Sequence, residues 1–344
     1  MEEIHPGEYI VLTDGDSSAL FYPDKAIGVE HFPQLRNTGQ TLVLSDAEDK
    51  LVYTVDYCDW WYTGDSIKEG GWSLEMMDIN NPCGGSENWK ASENPDGGTP
   101  GAPNSVMRNN PDLIGPEILQ AVILDDTSLF LRFSEKILPL NVDKYTFTIN
   151  QINPGYMEFS ANLEYCRLYF NNKFSYHNQY ILTVNSELTD CTGNEPVKPE
   201  VVFMRPEACN ANDIVISEIL FDPVEEGGEF VELYNRSAKT INLNNFKIYQ
   251  KNSVSNKISA YLISGLPYII LPGEFLVLTK APELISKYYN PPENSMIRME
   301  SFPSLPNQEG IIGLLDTTGN EIDEVYYSEA MAFSLNKRNK GISI

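Results

Sequence analysis

One stretch of this chain occurs twice, and that duplication limits the folds available to it. Residues 6–13, Pro-Gly-Glu-Tyr-Ile-Val-Leu-Thr, return as residues 272–279, Pro-Gly-Glu-Phe-Leu-Val-Leu-Thr. Phe-Pro-Gln-Leu-Arg-Asn at 32–37 returns as Phe-Pro-Ser-Leu-Pro-Asn at 302–307, and from there the two copies run in step without a gap. A shared segment of this length implies one fold used twice.

Apolar residues follow a strand pattern almost everywhere. Short runs rich in β-branched and aromatic residues, bounded by Gly, Pro, Asn and Asp, predict strands. These runs are 42–44, 121–124, 129–133, 145–149, 180–184, 214–219 and 275–278. Helical signals are few, and the clearest is 282–289, with Pro282 at the first helical position. Many short strands with frequent turns indicate an all-β chain built of β-sandwiches or small barrels.

Two stretches divide the chain. Residues 94–104 are rich in Pro and Gly, and residues 205–212 precede the second copy of the repeat. We therefore predict a first segment (1–108), a middle segment (109–207) and a C-terminal segment (208–344), and we use these names below.

The two copies differ in the residues that precede and follow the shared stretch. The C-terminal segment has residues 212–271 ahead of the shared stretch, whereas the first segment has only five residues there. The first segment instead continues past Leu74, and the second copy stops at Ile344. Each outer segment thus lacks strands that the other retains. Unpaired sheet edges invite strand addition. We expect head-to-tail self-association, in which residues near 75–104 of one chain close the 212–344 segment of the next.

Charge and hydropathy restrict the partners. The 344 residues carry a formal net charge of −25, which repels nucleic-acid phosphates, so no nucleic-acid partner is expected. No apolar run reaches the roughly 18 residues of a transmembrane helix. The first residues have neither a basic nor an apolar signal-peptide region, so any signal peptide would lie outside this chain.

The five cysteines form no metal-binding pattern. Their spacing contains neither Cys-x-x-Cys nor a Cys/His cluster, so a structural zinc site is not expected. Pairing of Cys191 with Cys209 or of Cys58 with Cys83 is open, and free buried thiols, with Cys166 among them, are the favoured alternative.

The C-terminal segment resembles a known family. Its motifs are Ile-Val-Ile-Ser-Glu-Ile-Leu-Phe-Asp-Pro at 214–223, Gly-Glu-Phe-Val-Glu-Leu-Tyr-Asn at 228–235 and Leu-Pro-Gly-Glu-Phe-Leu-Val-Leu at 271–278. They occur in the order of the bacterial lamin-tail domain, which implies an immunoglobulin-like β-sandwich. The first segment matches only the later half of that domain.

The middle segment resembles a second bacterial family. Leu-Phe-Leu-Arg-Phe-Ser-Glu at 129–135 and Leu-Thr-Asp-Cys-Thr-Gly-Asn at 188–194 are similar to the Ig-like module of surface-layer and adhesin proteins. This resemblance implies a spacer. Together the two resemblances predict tandem immunoglobulin-like β-sandwiches.

Glu218 and Glu232 are the sharpest candidate site. If strands 214–221 and 229–235 form a hairpin, these carboxylates face each other, and like charges directly opposite repel. Arg236, Lys247, a bound cation or solvent would have to offset that repulsion. A solvated or salt-bridged structural pair is favoured over a ligand or calcium site.

Trp60, Trp61 and Trp72 form the second candidate site. An aromatic-rich stretch can serve as a platform for a sugar or a peptide, although such residues more often close a sandwich core.

The remaining motifs favour structural roles. Asp14 opens a sequence like a calcium loop, but Lys25 stands where the bidentate Glu is required. Asp46 and Asp316 are expected to bond turn amides. No hydrolase, P-loop or dinucleotide motif occurs.

The predicted function is therefore noncatalytic. We expect a bacterial cell-surface, extracellular or periplasmic scaffold without a required cofactor, which binds or spaces protein or glycan partners. The alternatives are a calcium- or glycan-binding adhesin module and an accessory region of a secreted nuclease or phosphatase.

Overall fold

Strands dominate the structure, which confirms the predicted all-β class. The computed structural model describes residues 4–15, 26–62, 70–138, 142–292, 294–332 and 340–344. Within these residues there are 23 strands, two short α-helices and one 3₁₀ turn. None of the described helices is long and apolar enough to span a bilayer.

The first segment is built from pairs of strands. They are β1 (Val11–Asp14), β2 (Ala26–Val29), β3 (Gly39–Ser45), β4 (Leu51–Cys58), β5 (Leu74–Met76) and β6 (Trp89–Ala91), with a 3₁₀ turn at Asp59–Trp61. The pair β1–β2 is parallel, while β3–β4 and β5–β6 are antiparallel. Among the described residues these three pairs do not join into a larger sheet.

The middle segment is a two-sheet sandwich. Its strands are β7 (Ile118–Ile123), β8 (Ser128–Phe133), β9 (Phe147–Ile149), β10 (Tyr156–Phe159), β11 (Tyr165–Tyr169), β12 (Gln179–Val184) and β13 (Glu200–Met204). The sheet orders are β10-β11-β8-β7 and β13-β12-β9. Fully buried residues from both sheets fill the core between them: Leu129, Leu131, Phe147, Leu168 and Leu182.

The C-terminal segment is a larger sandwich. Its elements are β14 (Ile214–Leu220), β15 (Phe230–Asn235), β16 (Ile241–Asn242), β17 (Lys247–Lys251), β18 (Ile258–Leu262), β19 (Ile269–Ile270), β20 (Phe275–Thr279), α1 (Pro282–Tyr288), β21 (Met296–Arg298), β22 (Glu309–Leu315), β23 (Glu321–Ser328) and α2 (Glu329–Ala332). The main sheets have the orders β14-β15-β20-β21 and β18-β17-β22-β23.

The helix predicted in this segment is confirmed. Helix α1 begins at Pro282, which needs no amide donor at the first helical position. The final residues run antiparallel beside β14, where the amides of Ile219 and Ile344 each donate to the carbonyl of the other, at 2.8 and 3.0 Å.

The two copies of the repeat have the same strand registers. Val11 pairs with Ala26 in the parallel pair β1–β2, as Val277 pairs with Met296 in β20–β21. The hairpins β3–β4 and β22–β23 share their length, their register and the position of one register shift. Sequence identity at scattered positions thus reflects the same local backbone geometry.

The turn aspartates have the predicted structural role. Asp46 Oδ1 accepts bonds from the amides of Glu48 and Lys50, both at 2.9 Å. Asp316 Oδ1 accepts the equivalent bonds from Thr318 and Asn320, both at 2.8 Å. Residues 16–25 of the rejected calcium loop lie outside the described residues, so that expectation stays a prediction.

Neither of the two cysteine pairings that the sequence left open occurs. Cys83 of the first segment forms a disulfide with Cys191 of the middle segment, with the two Cα atoms 5.7 Å apart. Cys58, Cys166 and Cys209 are free thiols. Spacing along the chain did not indicate this bridge because the two loops meet only through the packing of one segment against another.

Further contacts join the segments. The Lys136 ammonium, on a side chain that is only 4% exposed, donates to the carbonyl of Thr54 at 2.9 Å. Gln120 Oε1 accepts a 2.9 Å bond from the amide of Ile269. Val122 and Phe130 pack with Ile269 in an apolar cluster between the middle and C-terminal segments.

Candidate functional site

Glu218 and Glu232 face each other, as the strand alternation predicted. They are directly paired in the β14–β15 ladder. A register shift between Ile216 and Glu218 leaves Ser217 as an extra residue beside the pair. Such a bulge bends the strand locally and redirects neighbouring side chains. Here it places the Ser217 hydroxyl against the Glu232 carboxylate.

Hydroxyl groups, rather than basic side chains, contact this carboxylate pair. Ser217 Oγ donates to Glu232 Oε1 at 2.8 Å, and Ser343 Oγ donates to Glu218 Oε1. Burial raises the pKa of Glu232, the Ser217 bond opposes that rise, and the Glu218 charge adds to it. No ion pair from Arg236 or Lys247 reaches either carboxylate in the described part of the chain.

A cleft of about 570 Å³ opens beside the pair at the junction of two segments. Leu119 and Gln120 of the middle segment form one wall, and sheet residues of the C-terminal segment form another. Apolar residues line the cleft together with the carboxylates: Phe230, Val277, Ile285 of α1 and Tyr289. The cleft thus combines a half-buried acidic pair with apolar walls, a surface suited to a cationic or amphipathic group.

The three tryptophans of the predicted site have different surroundings. Trp61 is 7% exposed, and its ring lies 5.9 Å from that of Trp89. One ring face of Trp60 is covered by the Arg298 guanidinium, whose Cζ lies 4.3 Å from the ring centroid. Trp72 lies apart, where its carbonyl accepts a 2.9 Å bond from the Tyr62 hydroxyl. The structure therefore joins Trp60 to the C-terminal segment and places Trp61 in a core.

A carboxylate cluster was missed by the sequence interpretation. One oxygen each from Asp112, Glu135 and Asp190 lies within 4.8 Å of the others. Burial raises the pKa of Glu135 to about 8, and the charges of Asp112 and Asp190 add to the effect. Carboxylates this close are stabilised by a shared proton or by a divalent cation, which prefers six to eight oxygen ligands if it is calcium.

The cluster is adjacent to the disulfide. A cleft of about 290 Å³ is lined by Cys83, Asp112 and Glu135, with Trp60 and Lys136 also on its walls. Asp190 is fully buried, and its oxygens accept bonds from Thr192 and Asn194. The signal was present in the 129–135 and 188–194 motifs, which supply Glu135 and Asp190, but their proximity depends on the sandwich fold.

Comparison with protein families finds a match that lies almost entirely in the C-terminal segment. Residues 207–329 match the family model of the Lamin Tail Domain. The lamin tail match thus includes Glu218, Glu232 and the walls that α1 contributes to the larger cleft. It covers neither the first segment nor most of the middle segment, so a second lamin tail copy and the Ig-like module stay predictions. No curated protein matches the chain.

Solved structures give only distant similarities. The N-terminal part of the bacterial S-layer protein SbsC aligns at 11% identity with a TM-score of 0.26, over 63% of this chain and 44% of that one. Domains 1–6 of the same surface-layer protein align at 10% identity and a TM-score of 0.26, over 63% and 41%. A Salmonella alpha-2-macroglobulin aligns at 10% identity and 0.20, over 67% and 17%. The chain spans less than half of each structure, and similarities of this size carry no functional argument.

Proposed function

We propose that this protein is a noncatalytic spacer and binding scaffold of a bacterial cell surface or periplasm. In this proposal two lamin-tail-like units, the first of them incomplete, flank an Ig-like unit, with boundaries near 108 and 207. The proposal rests on one observation: direct contacts join the middle segment to the segments on both sides of it. A scaffold must hold its binding surfaces at set positions, and contacts at both junctions supply that geometry.

The first junction supports an exported location. The Cys83–Cys191 disulfide links two segments across 108 residues of sequence. Disulfides persist in oxidising compartments and are rare in the cytosol of mesophiles. A structural disulfide therefore favours the cell surface or the periplasm. The prediction is tested by mapping the peptides of protein isolated under thiol-blocking conditions from its own cells, where finding both cysteines reduced would contradict it.

The second junction is apolar. Val122 is fully buried, although it lies outside the main core cluster of the middle segment. It packs with Ile269 of the lamin tail domain, beside the Gln120 bond. Burial of such side chains stabilises the contact by about 1.5–3 kcal/mol each. The junction should therefore hold the two sandwiches in one orientation.

This orientation is tested by small-angle X-ray scattering. Val122→Asp places an unpaired charge in the apolar junction, so we expect a larger maximum dimension and a more flexible scattering profile than in the wild type. Val202→Asp is the matched control because Val202 is 55% exposed on β13. A scaffold role for this junction would be refuted if the wild type were already flexible, or if Val122→Asp scattered like the control.

The absence of catalysis needs a separate measurement. Hydrolase, nuclease and phosphatase substrates should be screened with divalent metal ions, using the full chain. We expect no turnover. An activity that disappears in Glu218→Ala or Glu232→Ala would overturn the proposal, because these residues form a facing acidic pair that lines the larger cleft.

Head-to-tail self-association also stays a prediction. In this structure the residues expected to exchange are engaged within their own chain, since β5 pairs with β6 and Cys83 is bridged to Cys191. A particle that stays strictly monomeric at high concentration in sedimentation velocity would count against head-to-tail self-association.

A further inference from the structure

The edge of β3 lacks a neighbour that its counterpart has. In the lamin tail domain β22 lies between β17 and β23, whereas β3 pairs only with β4 among the described residues. Val43 and Leu44 on this edge strand are 49% and 50% exposed, although Leu314, the counterpart of Leu44, is fully buried. A strand with unpaired backbone groups and exposed apolar side chains is a template for strand addition.

The edge of β1 lacks the equivalent neighbour in the other sheet. Its counterpart β20 lies between β15 and β21, whereas β1 pairs only with β2 in the described part of the chain. Leu12 is 49% exposed, and its counterpart Leu278 is fully buried. The first segment also supplies no member to the apolar clusters of the described residues. Among the described residues, therefore, neither edge is paired with a strand that corresponds to β15 or β17.

We propose that the edges of β1 and β3 take up two strands from a second polypeptide, one with the strand pattern of β15–β17. The internal copy defines the chemistry of this partner. One strand alternates apolar residues toward the core, as Val231 and Leu233 do when they pair with β20. The other lies along β3 as β17 lies along β22, in the register that pairs Ile248 with Leu314.

The partner differs from the 212–271 stretch of a second copy, and Val43 gives the reason. Val43 corresponds to Gly313, over which the Tyr249 ring of β17 packs. A Cβ atom at Gly313 would lie 2.3 Å from Cζ of that ring. The larger Val43 side chain therefore blocks a tyrosine at this position. The incoming strand must carry a smaller residue there.

The polar contacts of Tyr249 lead to the same conclusion. Its hydroxyl lies 2.7 Å from Oε2 of Glu321 and of Glu324. Their counterparts in the first segment are Leu51 and Thr54, which provide no carboxylate. A tyrosine on an incoming strand beside β3 would find neither of these carboxylate acceptors. Leaving a buried hydroxyl without a hydrogen-bond partner is costly. The two differences select for a partner strand with a small apolar residue opposite Val43.

The proposal is tested with a synthetic peptide of residues 228–251 added to the full chain, read by hydrogen exchange. One peptide has the natural sequence, and the other carries Tyr249→Ala. We expect the alanine peptide to slow exchange in 11–13 and 39–45, and the natural peptide to bind about ten-fold or more weakly, because overpacked sites are unfavourable. Both peptides have the same charge, so attraction to an acidic chain cannot produce the difference.

Variant Val43→Gly is the reciprocal test. Removing the obstructing side chain should bring binding of the natural peptide to within a few-fold of the alanine peptide. The β20 and β22 amides report whether the rest of the chain remains folded. The comparison of the two peptides on the wild-type chain does not depend on this variant.

Three outcomes would overturn the proposal. The edges are covered in cis if 11–13 and 39–45 exchange as slowly as β20 and β22 in dilute protein without peptide. A second copy is the occupant if protection of these strands rises with protein concentration together with a dimer peak. The strand-addition site is refuted if neither peptide protects these strands in the wild type or in Val43→Gly.

Discussion

At the scale of single residues, folding raises the pKa of Glu135, so near neutral pH its carboxyl keeps a proton that it would release in the unfolded chain. Burial, together with the charges of Asp112 and Asp190, raises its pKa from 4.5 to about 8. Between these values the folded state binds more protons than the unfolded state, so stability falls as the pH rises. The contribution is complete below pH 4.5 and is lost as the pH passes about 8.

Glu135→Gln should therefore raise the melting temperature above pH 7 and flatten its dependence on pH from 5 to 8. An increase of about 2 °C or more at pH 8 is expected, since 1 kcal/mol corresponds to about 2–4 °C in domains of 150–250 residues. Differential scanning calorimetry at several pH values measures the effect. Glu48→Gln, at an exposed turn position, is the control. An unchanged pH profile in Glu135→Gln would contradict the assignment of the proton to this carboxyl.

The residue scale also shows what could be predicted from the sequence. The facing of Glu218 and Glu232 was predictable because alternation within one hairpin determines which side chains oppose. The Ser217 and Ser343 contacts were not, since one depends on a bulge and the other on the path of the final residues. The Asp112, Glu135 and Asp190 cluster depends on three separate parts of the middle segment.

At the scale of elements, the strand β22 has a glycine that accommodates one side chain of its neighbour β17. Gly313 leaves the space in which the Tyr249 ring lies, and Tyr249 is fully buried. Gly313→Ala should lower the free energy of unfolding of the C-terminal segment by about 1–3 kcal/mol, the usual range for an overpacked core. Hydrogen exchange of the β17 and β22 amides, measured at increasing urea concentration, gives this decrease in the free energy of unfolding.

The control for this change is Gly265→Ala. Its added Cβ would meet only Leu262, at an ordinary contact distance of 3.8 Å. We expect a change below about 0.5 kcal/mol, as for substitutions that disturb no packing. Equal effects of the two alanine variants would show that loss of glycine flexibility, rather than the Tyr249 contact, determines the result.

Elements were predictable where they depend on local sequence. Helix α1 follows from Pro282 and the residues after it, and the hairpins follow from their polar turns. The parallel pairing of β1 with β2 was not predicted, because a parallel neighbour is reached through a connection whose path the strand pattern does not specify. The repeat indicated equal geometry, and the registers of β1–β2 and β20–β21 agree with it.

At the scale of the whole molecule, the Cys83–Cys191 bridge closes a loop of 108 residues. A bridge between the first and middle segments should stabilise those two and leave the core of the C-terminal segment nearly unaffected. Chain-entropy estimates for such loops approach about 4.7 kcal/mol, and measured values are typically 2–4 kcal/mol. The sequence could not reveal this coupling, because neither motif that contains these cysteines specifies its partner.

The tryptophans allow the two regions to be followed separately. All four, Trp60, Trp61, Trp72 and Trp89, lie in the first segment. In the double variant Cys83→Ser/Cys191→Ser, we expect the free energy of unfolding to fall by about 2–4 kcal/mol, as measured by tryptophan fluorescence in urea. Hydrogen exchange of amides in the core of the C-terminal segment should change little. Cys209→Ser, which removes a free thiol, is the control.

Reduction of the wild type distinguishes the effect of losing the disulfide bond from the effect of replacing the two cysteine side chains. Dithiothreitol should move the fluorescence transition of the wild type to that of the double-serine variant and leave the variant unchanged. If the fluorescence and hydrogen-exchange transitions moved together, the three segments would unfold as one cooperative unit, and the bridge would stabilise the core of the C-terminal segment as well. If neither moved, the bridge would contribute no measurable stability to the first and middle segments.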